Sequence, residues 1–129
     1  MITVEVLFFD GCPNVDIATT HAREAIARIG ASARLHLVRV EGDADAVRRR
    51  FLGSPTIRVD GLDVDCSARG RTDFSLQCRV YSLEGRLAGA PPAAWIEAGL
   101  RGDPSRRPRM QAATATTCSV GAANDVRKE

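Results

Sequence analysis

The sequence predicts an α/β domain with the element order β-α-β-α-β-β-α, followed by a polar tail. Three observations predict it. Two β-branched apolar runs are each followed by a stretch of helical character. An Asp-Gly pair separates two short alternating runs. The composition also changes near residue 100.

In chain order, Val4-Glu5-Val6-Leu7-Phe8-Phe9 is nearly continuous in apolarity and reads as a central strand covered on both faces. The chain turns through Asp10-Gly11-Cys12, and Pro13 suits a first helical position, where a missing N–H is tolerated. Val15, Ala18, Ala22, Ala25, Ile26 and Ile29 then recur at intervals of three and four, an amphipathic helix closed by Gly30. Residues 33–40 form a second strand, alternating in its first half. Asp43 caps a short helix over 44–52 that Gly53 ends. Thr56–Val59 and Leu62–Asp65 flank the Asp60-Gly61 hairpin turn. Residues 66–77 read as a polar loop, and Cys78–Tyr81 as a short extended piece before another loop. Pro91-Pro92 opens a last helix whose apolar face is Trp95, Ile96 and Leu100. Helices join the first three strands, which implies parallel crossover units, with an antiparallel pair at the end.

The 129 residues carry 18 basic and 16 acidic side chains, a net charge of +2. Residues 1–100 hold 12 arginines against 13 acids and sum to −1, so the positive balance belongs to 101–129. That segment lacks aromatics and includes Gly102-Asp103-Pro104-Ser105-Arg106-Arg107-Pro108-Arg109 and Ala112-Ala113-Thr114-Ala115-Thr116-Thr117. It has too little apolar surface to offset the entropy of ordering. The expectation is a folded domain over 1–100 and a disordered, flexible tail over 101–129. So small a charge, without interleaved aromatics, argues against nucleic acid as a partner. No apolar run is long enough to span a membrane. Met1–Glu5 does not begin a secretory signal, which points to the cytoplasm.

The four cysteines, at 12, 66, 78 and 118, lack close pairing. That argues against a zinc finger and a disulfide-stapled scaffold and predicts mostly free thiols. No cofactor motif is legible. His21 and His36 have no ligand-type spacing, so the sequence assigns no metal site. Arg48-Arg49-Arg50 reads as the solvated face of a helix, with a site for anionic thiols such as glutathione as the alternative.

Phe8-Phe9-Asp10-Gly11-Cys12-Pro13-Asn14 resembles the active-site turn of the thioredoxin-like superfamily, and Ser54-Pro55-Thr56 resembles its cis-proline loop. The likeness covers most of residues 3–100 and is nearest to short stand-alone members, some labelled in connection with alkylmercury lyase. It implies a thioredoxin-like three-layer sandwich, a cis Pro55, and thiol chemistry at Cys12 with Ser54, Pro55 and Thr56 holding the thiol partner. A cis bond there would expose the Ser54 backbone to an extended peptide or a thiol ligand; the alternative is a trans proline opening an edge strand. Two positions depart from the redox pattern. Val15 stands where a second cysteine is usual, and Val6 where thioredoxins hold a buried acid.

A thiol near a helix N-terminus is favoured as thiolate by unpaired N–H groups and the dipole, whereas Asp10 and Asp16 oppose it. Cys12 is therefore either a reactive thiol or merely a buried one. Cys66, Cys78 and Cys118 remain open as resolving thiols or gap fillers. The expected function is thiol–disulfide exchange through Cys12 with a small-molecule or protein thiol, resolved externally or by a non-adjacent cysteine. Soft-metal or organomercurial handling by thiols is one alternative. A non-catalytic interaction module of the same fold is the other.

Overall fold

A computed structural model describes residues 1–102. The expected tail, apart from its first two residues, lies outside the described residues. The fold is mixed α/β: a four-stranded mixed sheet, three α-helices and a separate two-stranded ribbon. In chain order these are β1 (Ile2–Phe8), α1 (Val15–Ile29), β2 (Ala33–Arg39), α2 (Asp43–Arg49), β3 (Thr56–Val59), β4 (Leu62–Asp63), β5 (Tyr81–Leu83), β6 (Arg86–Ala88) and α3 (Ala93–Leu100). A 3-10 turn spans Cys66–Ala68. No described helix is long and apolar enough to cross a membrane.

The main sheet runs β2-β1-β3-β4. β1 and β2 are parallel, as the intervening helix requires, but β3 is antiparallel to β1. This corrects the expectation of a third parallel strand. The reason is length. A helix of seven residues advances about 10 Å, whereas the seven residues of β1 extend about 23 Å. α2 therefore cannot carry the chain back along the sheet, and β3 enters at the end where β1 leaves, with Leu7 opposite Thr56.

α1 buries Ala18, Ala22 and Ala25 completely, and these small side chains let it lie close on Val4 and Val6 of β1 and Ile57 and Val59 of β3. α3 completes that face with Ile96 and Leu100. Gly99 of α3 packs so near β3 that an added Cβ would stand 3.1 Å from Val59 Cγ2. Arg28 of α1 reaches Glu97 of α3 at 2.9 Å, and His21 Nδ1 lies 2.8 Å from the Pro91 carbonyl. The opposite face has a smaller core of Leu7, Val40, Ala46 and Phe51. Away from that core the same face carries a row across all four strands: His36, Glu5, Arg58 and Asp63.

α2 ends four residues before Gly53, the glycine expected to stop it. Arg50 adopts the left-handed conformation, and Arg58 Nη2 donates to the carbonyls of both Arg49 and Arg50 at 2.8 Å. A guanidinium thus closes the negative end of the helix. At the other end the N-cap is Gly42 rather than Asp43, and the Asp45 carboxylate accepts from the Glu41 N–H. That backbone bond, outweighing partial desolvation, together with Arg49 and Arg48, holds the Asp45 carboxyl below its ordinary value.

Both hairpin turns place two successive residues at positive φ: Asp60-Gly61 as expected, and Glu84-Gly85 between β5 and β6. The second hairpin falls in a stretch read as loop. β4 is also shorter than the run of alternating residues, ending at Asp63 because Asp65 turns the chain into the 3-10 helix. Asp65 accepts from the backbone N–H and hydroxyl of Ser67.

In the connection that follows, Arg71 hydrogen-bonds Asp73 and pulls its carboxyl down to about 2 from an ordinary 3.8. A carboxyl depressed in the folded state adds stability above its unfolded pKa, and the gain fades as pH falls through the folded value. Asp73→Asn is expected to lower stability slightly at neutral pH, where the depressed carboxyl contributes, to leave it unchanged below about pH 2, and so to flatten the acid limb between about pH 4 and pH 2. Denaturant titrations across that range would check it; an unaltered acid limb would refute it.

Candidate functional site

Cys12 sits in the turn after β1, half-buried, with its N–H donating to the Phe9 carbonyl at 3.3 Å. Gly11 makes the turn possible with φ of 87°. α1 begins later than the proline suggests. Asn14 is the N-cap and Val15 the first helical residue, so Pro13 precedes the helix and Cys12 stands three residues before it. Cys12 and Asp16 therefore do not share a helical face. Asp10 is paired with Arg39 at 2.7 Å, which offsets the other nearby negative charge.

The Ser54–Pro55 peptide bond is cis. Ser54, Pro55 and Thr56 are nevertheless all buried. The Thr56 hydroxyl donates to the Gly53 carbonyl at 2.6 Å and accepts from Arg79 at 3.0 Å. The Ser54 backbone, expected to be open to a ligand, is occupied by this chain. Its N–H donates to the Gln77 carbonyl at 2.8 Å, and its carbonyl accepts from the Arg79 N–H at 3.0 Å. These two bonds set Cys78 directly opposite Ser54 in a parallel bridge.

The pairing belongs to a strap that runs alongside residues 51–55. The Ser75 N–H donates to the Phe51 carbonyl, Gln77 Nε2 to the Leu52 carbonyl, and the Tyr81 hydroxyl to the Pro55 carbonyl at 2.5 Å. Gln77, Arg79 and Tyr81 thus turn inward, while Cys78 and Val80 are exposed.

Arg79 anchors the strap. Its guanidinium, 1% exposed, makes a two-point contact with the Asp63 carboxylate at 2.6 and 3.1 Å and lies 4.6 Å from the Tyr81 ring centre. Burial pulls the guanidinium pKa down, but the hydrogen bond and charge of Asp63 outweigh it, so the group is held above its ordinary value. Burial also raises the Tyr81 phenol, whose ring meets Trp95 edge-on at 6.2 Å. Ser54 Oγ and Arg79 Nε are buried with no hydrogen-bond partner among the described residues.

Among the cysteines of the described residues, Cys12 and Cys78 are free and Cys66 is disulfide-bonded, which departs from the expectation for Cys66. Cys118 lies outside the described residues. No group of three His, Cys, Asp or Glu side chains able to hold a metal converges among the described residues. Of the three successive arginines, Arg48 and Arg49 of α2 pair with Asp45, and Arg50, just past the helix, stands 5.0 Å from the Phe74 ring centre.

Sequence reasoning missed Asp63, Gln77, Arg79 and Tyr81. Asp63 lay on the expected return strand and Arg79 and Tyr81 in the short extended piece over 78–81, but neither pattern says that these side chains meet in one buried cluster. Comparison with family models, curated proteins and solved structures found no match.

Proposed function

We propose that the chain is a thioredoxin-like, single-cysteine thiol protein in which Cys12 exchanges with low-molecular-weight disulfides. The observation that carries the reading is the placement of a free, half-buried Cys12 in the β1–α1 turn, at the sheet end where the cis Ser54–Pro55 bond leads into β3. The antiparallel β3 and the helix distribution are compatible with that fold. In the reaction the Cys12 thiolate attacks one sulfur of RS–SR. A Cys12–SR bond forms, the S–S bond breaks, and RS⁻ leaves. The strap favours small disulfides over extended peptides, because the Ser54 N–H and carbonyl that would pair with a peptide are already bonded to Gln77 and Arg79.

The test is exposure of the full chain to oxidised glutathione, with adducts located by peptide mass spectrometry. Cys12 in a Cys78→Ser background should form its mixed disulfide at least about tenfold faster than free cysteine does at neutral pH. In Cys12→Ser the adduct at that position disappears. A Cys12 rate equal to that of free cysteine would overturn the proposal.

A further inference from the structure

We infer that Cys78 is the resolving thiol for Cys12, an inference that rests on the Cys12 chemistry just proposed. The position where an adjacent resolver would stand is Val15, at the start of α1. Cys66 is in a disulfide, which leaves Cys78 as the second free thiol of the described residues, and it is exposed.

The topology carries both thiols to one end of the sheet. Leu7 and Thr56 form the last register row between β1 and β3. Cys12 lies five residues beyond Leu7, through a turn folded back on Phe9. Ser54 lies two residues before Thr56, and Cys78 is bridged to it.

Cys78 is also held in place rather than carried on a free loop. The inward residues on either side are fixed, Gln77 by the Leu52 and Asp73 carbonyls and Arg79 by Asp63 and Thr56. A second feature points the same way. Ser54, the residue opposite Cys78, keeps a buried hydroxyl with no partner among the described residues. That hydroxyl is a buried donor on the residue to which Cys78 is bridged.

The step balances with the disulfide already named as substrate. The Cys78 thiolate attacks Cys12 Sγ of the mixed disulfide, the Cys12–SR bond breaks, RS⁻ departs, and a Cys12–Cys78 disulfide forms. One RS–SR is reduced to two thiols and the protein is oxidised by two electrons. Two equivalents of an external thiol restore it.

The experiment treats the full-length chain and its Cys78→Ser variant with oxidised glutathione, followed by acid quenching, alkylation and peptide mapping. The wild type should accumulate the Cys12–Cys78 disulfide and release two glutathione molecules per chain. Cys78→Ser should stop at the Cys12–glutathione adduct with one released, its adduct level at least about tenfold above wild type. The variant should fold, because Cys78 is exposed and its neighbours make the anchoring contacts; circular dichroism and urea titration would verify this. An adduct that persists equally in both proteins, or a disulfide from Cys12 to another cysteine, overturns the role of Cys78 alone. A Cys12 that takes no glutathione in either protein overturns the Cys12 chemistry and, with it, this inference.

Discussion

Arg79→Met is expected to lower folding stability by about 3–5 kcal/mol, the usual loss when one member of a buried ion pair is removed and the other stays charged. The Asp63 carboxylate would remain almost fully covered, without either of its guanidinium bonds, and Thr56 would lose a donor. Methionine roughly replaces the volume over the Tyr81 ring, so the loss reports electrostatics more than a cavity. Combining it with Asp63→Asn should recover part of the deficit, because a neutral amide is less penalised in that site. Urea unfolding of the two single variants and the double variant measures this coupling. A loss below about 1 kcal/mol in Arg79→Met would mean that the strap is not anchored by the pair.

Gly53→Ala should cost roughly 2–6 kcal/mol, from backbone strain and collision together. At φ of 125° an L side chain is strained, and the new Cβ would stand 3.0 Å from both Arg79 Cβ and the Gln77 carbonyl oxygen. Both obstacles belong to the strap, and one is backbone, so neither yields cheaply. Gly61→Ala is the matched control, since Gly61 has φ of 84° and nothing within 4 Å of an added Cβ. It should incur only the conformational part, about 1–3 kcal/mol. The difference between the two variants in thermal or urea unfolding isolates the clash. Equal losses would show that the strap does not press on Gly53.

The elements that could be read locally are those whose burial repeats with a clear period. Ala18, Ala22 and Ala25 mark the inward face of α1, Gly30 ends it, and Asp60-Gly61 turns the first hairpin. The direction of β3 was not legible, because element order does not say how far a short helix travels. The end of α2 was hidden for a related reason: Arg58, eight and nine residues further on, supplies its cap. At the site, Cys12 and the Ser54–Pro55–Thr56 turn were readable as landmarks. What occupies the Ser54 backbone was not, since its partners lie 23 and 25 residues away in a stretch rich in Arg, Asp and Ser. Arg79 and Asp63 look like two surface charges until the fold closes them into one buried pair.

Alignment of the short β3 is guarded by charge. Four residues supply few ladder bonds, so the backbone alone discriminates weakly between neighbouring alignments. A slip of one position would rotate Arg58 from between Glu5 and Asp63 onto the face where Val4, Val6 and the helices α1 and α3 meet. It would also strip the carbonyls of Arg49 and Arg50 of their donor and shift Ser54 away from Cys78. A slip by two keeps the faces but breaks the match of opposite charges across the strands. The ionic row thus acts as a fidelity device: Arg58 meets both Glu5 and Asp63 only in the observed alignment, and the same Asp63 holds Arg79, the neighbour of Cys78.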